Sequence, residues 1–378
     1  MSVDQHEELS EAENAGDATI ALEYNDSGLE TDGLDGVGSY LFDPQSDSNS
    51  LTFTMVDGGT NLGIMTDASD GAVTIDLDGQ TATGTWGSEA HSDANDFRGG
   101  TDVLNASSGG DIAGVNDGSD IGGIEDVHFE GSDVTLTITA DQYDELTDGT
   151  VSEAGSATID FADAVSTGDT IDDVGTWELY ADESNEFALG TGGQEVYYGD
   201  SGDDVTVGEG DDVLHLGDGD DSIIFAATNA TQVSEEGDNE INGFDDAGSD
   251  VVEFTQDLAT AATGGDTGAG LASELFNEVS QGDTDLTVTD NAVWQVSGEF
   301  SGAGSAGDVA DWMTGAISDG DLSSGDQALF AFNDGSDTYL WHLEAADGTA
   351  TNIGEGDLEL IGQFNEKQEF SHDDFAVA

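Results

Sequence analysis

Apolar and polar residues alternate one by one through much of the chain, and that period of two marks half-buried strands. The clearest runs are Leu51-Thr52-Phe53-Thr54-Met55, Val73-Thr74-Ile75-Asp76-Leu77 and Val134-Thr135-Leu136-Thr137-Ile138-Thr139. Ala157 to Phe161, Leu286 to Thr289 and Leu329 to Phe332 repeat the pattern. Asp-Gly and Gly-Gly pairs stand between the runs, as tight turns require. A helical period is confined to Ala140–Leu146, Leu271–Val279 and Val309–Ile317, each only two or three turns long. The pattern predicts an all-β protein with a few short helices.

From Gly193 to Asn239 a different pattern takes over, a short word of glycine and acid followed by β-formers. It reads Gly193-Gln194-Glu195-Val196-Tyr197, Gly202-Asp203-Asp204-Val205-Thr206, Gly210-Asp211-Asp212-Val213-Leu214, Gly219-Asp220-Asp221-Ser222-Ile223 and Gly237-Asp238-Asn239-Glu240-Ile241. Counted from each glycine, the third residue falls at 195, 204, 212, 221 and 239, in steps of nine, eight, nine and eighteen, with a degenerate copy at Thr228-Asn229-Ala230. Apolar side chains recur at Tyr197, Leu214, Ile223 and Ile241. A Gly/Asp nonapeptide predicts a parallel β-roll or β-helix with calcium-binding turns, because glycine permits the turn while carboxylates and carbonyls face a hard cation. The candidate ligand set is Glu195, Gly202, Asp203, Asp204, Gly210, Asp211, Asp212, Gly219, Asp220, Asp221 and Asp238.

These words resemble the RTX family of calcium-binding bacterial proteins secreted by type I systems, best at Asp204, Asp212 and Asp221 and least at Glu195 and Asn239. The resemblance implies that two nonapeptides make one turn, so Asp204 stacks on Asp221 and Glu195 on Asp212. Two carboxylates about 5 Å apart repel by about 3 kcal/mol at an effective dielectric near 20, so the stack needs a cation. The ending Ser371-His372-Asp373-Asp374-Phe375-Ala376-Val377-Ala378 resembles an uncleaved type I secretion signal, and Asp337–Trp341 with Leu358–Gly362 resemble the strand pairs that precede it. Val73–Leu77, Gly100-Thr101-Asp102-Val103-Leu104 and Ile121–Val127 are similar to degenerate repeats of RTX adhesins and bacterial surface-layer proteins, as is Val134–Phe161 to their modules.

Charge sharpens the picture. There are 85 acidic residues against two basic ones, Arg98 and Lys367, for a formal charge of −83. Nucleic acid and anionic membranes are excluded as partners. A compact fold of that charge needs salt or divalent ions, since the Debye length is about 3 Å at 1 M salt and about 10 Å at 0.1 M. The chain is nonetheless 36% hydrophobic, enough for packed cores. It has no cysteine, so disulfides play no part, and its 54 glycines and single proline suit repeated turns. Met1–Ala18 is acidic with no apolar run, so it reads as a disordered tail and not a cleaved leader; no segment has the length and apolarity of a membrane span.

Catalytic words are missing. The histidines His6, His91, His128, His215, His342 and His372 form no zinc-helix spacing, and no Gly-x-Ser-x-Gly elbow occurs. Gly199-Asp200-Ser201-Gly202-Asp203 resembles a serine-protease word but lies within the repeat and lacks a histidine partner nearby. Asp76-Leu77-Asp78-Gly79 lacks the closing Glu of an EF-hand loop and reads as a hairpin turn. Trp294, Trp312 and Trp341 read as core residues.

Four regions are therefore expected: an acidic tail at 1–18, a β-rich, sandwich-like or solenoid-like region at 19–187, a calcium roll at 188–254, and a β-rich region with the secretion ending at 255–378. The function the resemblance implies is a non-enzymatic, self-assembling structural protein with calcium as cofactor. Its expected place is the extracellular surface, as a surface-layer, filament or matrix subunit of a salt-adapted bacterium exported by type I machinery. The alternatives are a secreted polysaccharide hydrolase with a folding tail and an adhesin for a cell-surface glycan.

Overall fold

The computed structural model describes residues 16–24, 29–32, 37–44, 51–54, 63–66, 73–77, 79–84, 86–88, 102–106, 108–116, 121, 124, 126–129, 134–147, 150–152, 157–163, 165–167, 176–179, 183–190, 192–225, 237–244, 249–254, 276–283, 286, 292–317, 327–344, 353–367 and 369–377. These are rich in strand, as the alternation predicts, and the chain divides into two compact units: Met1–Thr167 with Asp173–Tyr180, and Gly168–Asp172 with Ala181–Ala378. Of the expected acidic tail, 1–15 lie outside the described residues, and Gly16–Ala18 belong to the strand Gly16–Tyr24.

In the first unit successive strands are dealt to different sheets and pair parallel with later ones. Leu29–Asp32, Leu51–Thr54, Val73–Asp76, Val103–Asn105, Asp126–His128 and Thr150–Ser152 form one all-parallel ladder. Thr81–Gly84, Gly110–Val115, Thr135–Ile138, Thr158–Phe161 and Thr176–Glu178 form a second. Gly16–Tyr24, Val37–Pro44, Gly63–Thr66 and Trp86–Ser88 form a third. Alternation puts one face of each strand inside, so that Ile75, Leu104, Leu136, Ile138, Ile159 and Trp177 are buried. The helix Ala140–Thr147 adds Tyr143, which meets Phe161 and Trp177 edge-on at 5.3 and 5.7 Å. Buried Gln142 closes this end: its amide donates to the carbonyls of Ile112 and Val115 at 2.9 and 3.1 Å and its oxygen accepts from the Thr139 amide.

The second unit begins with short parallel strands on a regular step. Glu186–Ala188, Asp204–Val207, Ser222–Phe225, Val251–Phe254 and Phe375–Val377 make one ladder. Glu195–Tyr197, Val213–His215, Asn239–Asn242 and Leu358–Phe364 make the other. That second sheet then becomes mixed, since Leu358–Phe364, Thr338–Glu344 and Gln327–Asn333 run antiparallel, whereas Gln327–Asn333, Ala292–Glu299 and Phe276–Ser280 run parallel. On one face lies a core of Trp294, Phe330, Phe332, Trp341 and Leu343 under the helix Ala306–Ala316, through Val309, Ala310 and Met313. Trp312 packs against the same core and donates to the Gln281 carbonyl at 2.9 Å.

Local expectations meet the structure unevenly. Two of the three expected helices form, at Ala140–Thr147 and Ala306–Ala316. The third does not: 271–275 lie outside the described residues, and Phe276–Ser280 is a strand because pairing with Val293–Ser297 outweighs local helix propensity. Leu286 makes an isolated bridge with Ile317, and 287–289 lie outside the described residues. Leu77 and Gln80 do close a tight turn at 2.9 Å, but the flanking strands belong to different sheets, so it is a corner and not a hairpin. The ending is folded, with Lys367 bonded to Asp374 at 3.1 Å and lying over the rings of Phe244 and Phe370, and Phe375 buried.

Candidate metal-binding corners

Where the chain passes from one ladder to the other, a residue at the start of each strand turns its side chain inward. On one edge these residues are Asn185, Asp203, Asp221 and Asp250; on the other they are Gln194, Asp212 and Asn239, and all are buried. From Asp203 and Asp212 onward, each side-chain oxygen accepts a backbone N–H from the equivalent residue of the preceding turn. Asn185 donates to Asp203 Oδ1 at 2.8 Å, Asp203 to Asp221 at 2.9 Å and Asp221 to Asp250 at 3.0 Å. On the second edge Gln194 donates to Asp212 at 2.8 Å and Asp212 to Asn239 at 3.0 Å. The pairs 185/203, 194/212 and 203/221 are each separated by 18 residues, one turn of two nonapeptides.

This register corrects the expected stacking by one residue. Asp204 lies opposite Ser222, and Glu195 opposite Val213; the partner of Asp221 is Asp203, and the partner of Asp212 is Gln194. Counting from glycines caused the slip. Gly193 and Gly202 stack on Asp211 and Asp220, where an added Cβ would come within 2.5 and 2.6 Å of the carbonyl oxygens. The buried column 194, 203, 212, 221 then keeps an unbroken nine-residue step. Val196, not Tyr197, shares the interior with Leu214, Ile223 and Ile241, while Tyr197 is 41% exposed.

The candidate ligands therefore separate into two rows. Asp203, Asp212 and Asp221 face inward, whereas Asp204, Asp211, Asp220 and Asp238 are exposed. Asp211 accepts from the Asp238 amide and Asp220 from the Ser249 amide, both at 3.0 Å, so the outer row ties the turns in the opposite direction. Glu195 instead bonds His215 and the Tyr197 hydroxyl, both at 2.9 Å, and these contacts lower its pKa; Tyr197 stacks on His215 at 4.3 Å. The imidazole of His215 thus engages a carboxylate and not the backbone partner usual for a strand histidine. Gly210 and Gly219 hold φ of +111° and +132°, and Gly202 gives the close approach above.

Burial drives the inner carboxylates toward their neutral form. Asp212 and Asp221 are pushed up to about 7, chiefly by desolvation, and Asp203 is raised for the same reason. Asp203 has both oxygens engaged, Oδ1 accepting from Asn185 and Oδ2 from the Gly199 amide at 2.7 Å. Asp212 Oδ2, Asp221 Oδ2 and the Tyr198 hydroxyl are buried with no hydrogen-bond partner. Such oxygens call for a proton or a cation. Among the described residues, no group of three or more acidic or histidine side chains that could hold a metal ion stands ready. The residues still fit a hard divalent cation, because carboxylate oxygens are left over beside turns dense in backbone carbonyls, the donor set that calcium takes.

No protein-family model, curated protein or solved structure matches the chain. Among the described residues, no helix is long and apolar enough to cross a membrane.

One prediction follows from the raised carboxyl of Asp221. Folded Asp221 holds its proton up to about pH 7, well above the ordinary carboxylate value, so the folded state binds the proton more tightly than the unfolded one. Stability from this group is present below about pH 4 and is lost as pH rises toward 7, a loss of at most about 4 kcal/mol. Asn fits the position, since Asn239 accepts the same bond. In chelator, Asp221→Asn is expected to melt above the wild type at pH 8, with the advantage gone at pH 4. Parallel melting curves across that range would contradict it.

Proposed function

We propose that this protein is a calcium-binding, exported structural protein of a bacterial cell surface or matrix, and that its repeat region is a parallel β-roll whose turns bind calcium. The observation that carries this reading is the inner row of Asp203, Asp212 and Asp221, buried in parallel ladders with the Oδ2 atoms of Asp212 and Asp221 left over. Each turn adds buried negative charge that only protons or cations relieve, and a cytosol with micromolar free calcium would leave the row unfavourable while a millimolar exterior would not. Calcium would thereby couple folding to export. Asp203 and Asp221 would supply carboxylate ligands, and the exposed Asp204, Asp211, Asp220 and Asp238 would hold ions more loosely at the surface.

Assembly is the point at which structural and other roles part. Two copies of formal charge −83 have almost no basic residues to offer each other, so bridging by divalent ions, apolar contact or strand addition must join them. Sodium screens but does not bridge. Light scattering across a calcium titration at fixed ionic strength is expected to show association with calcium and none in sodium alone. Monomers at every calcium level would overturn the structural role. In that event the exposed Tyr197 ring on His215 favours an adhesin, since a flat aromatic face packs against sugar rings.

A further inference from the structure

The two edges of the repeat differ in charge, although their words look alike. One buried row carries three carboxylates on neighbouring turns, Asp203, Asp221 and Asp250, with Asn185 before them; the other carries a single carboxylate, Asp212, with Gln194 and Asn239 one turn to either side. Asp250 lies off the nonapeptide step, 29 residues beyond the Asp221 it bonds. An independent group looks at the same edge from within. Tyr198 is almost wholly buried, its hydroxyl has no hydrogen-bond partner, and the amide of the next residue, Gly199, donates to Asp203 Oδ2 at 2.7 Å; burial first, and then the charges of Asp221, Asp203, Asp250 and Asp204, push its pKa well up.

We infer that calcium enters the Asp203–Asp221–Asp250 edge, with Asp250 and the Tyr198 hydroxyl as further oxygen ligands, whereas the lone Asp212 on the opposite edge takes no ion. This rests on the calcium reading above. A divalent ion beside one buried carboxylate would leave an uncompensated positive charge, whereas two or three stacked carboxylates match it.

The test is calcium stoichiometry on the full chain by equilibrium dialysis at pH 8 and fixed ionic strength, comparing wild type with D221N, D250N, D212N and Y198F. Asparagine keeps the Oδ1 acceptor of each bond, and circular dichroism checks that every variant is folded. D221N and D250N are expected to lose at least one bound ion or tenfold in affinity, Y198F to bind several-fold more weakly, and D212N to match the wild type. If the wild type binds no calcium, the underlying reading fails and takes this inference with it. If the wild type binds but D212N loses as much as D221N, or D250N loses nothing, the calcium reading stands and the assignment of edges is overturned. Unchanged affinity in Y198F removes Tyr198 from the site.

Discussion

Gly217→Ala is expected to unfold the repeat or to destabilise it by at least about 3 kcal/mol, a fall of roughly 10 °C in melting temperature for a unit of this size. A Cβ at Gly217 would fall on the carbonyl oxygen of Gly199 one turn away, with the Gly199 carbonyl carbon at 2.8 Å and the Tyr198 carbonyl oxygen at 3.1 Å. All three are backbone atoms of the corner that follows the strand Glu195–Tyr197, so no side chain can step aside. Gly208 stands in the same relation to Gly190, which makes the requirement a property of the repeat. Gly315, near the end of the helix Ala306–Ala316, has nothing within 4 Å of an added Cβ. Gly315→Ala should therefore stabilise by up to about 1 kcal/mol through helix propensity. Thermal unfolding of both variants checks the pair; similar effects at 217 and 315 would refute the tight stacking of turns.

On the calcium reading proposed above, chelation is expected to have the second large effect. An ion that binds only the folded state at 100 times its dissociation constant stabilises by about 2.7 kcal/mol per site, and chelation returns that amount while restoring repulsion within the buried row. The loss should fall first on the turns that carry Asp203, Asp221 and Asp250. The sheet of Ala292–Glu299, Gln327–Asn333 and Thr338–Glu344 is held by its aromatic core of Trp294, Phe330 and Trp341. That core owes nothing to carboxylates and should persist. Raising sodium should recover only part of the loss, because screening weakens long-range repulsion but leaves Asp221 Oδ2 without a partner.

How much of this was legible in the chain depends on the kind of signal. Alternation at Val73–Leu77 or Val134–Thr139 reports which face of a strand is buried, and the strands stand there within a residue or two. The nonapeptide step was legible too, but its phase was not. Asp203-Asp204, Asp211-Asp212 and Asp220-Asp221 are chemically identical neighbours, and only burial separates the inner member from the outer. The glycines mislead, because Gly193 and Gly202 occupy the positions that Asp211 and Asp220 fill on the next turn. Asp250 did leave a local signal, the word Gly248-Ser249-Asp250-Val251-Val252, but it stands 29 residues beyond Asp221 and so off the nonapeptide step. The strand Phe276–Ser280 was hidden for a related reason, since its partner in Ala292–Glu299 decides it, and not its own pattern.

Hydrogen exchange read by mass spectrometry, with calcium and with chelator at one fixed ionic strength and pH 8, tests the central claim most directly. The account predicts that chelator accelerates exchange in 193–225 and 237–254 while 292–299 and 327–344 remain protected. Equal protection of 193–254 in calcium and in chelator would contradict it.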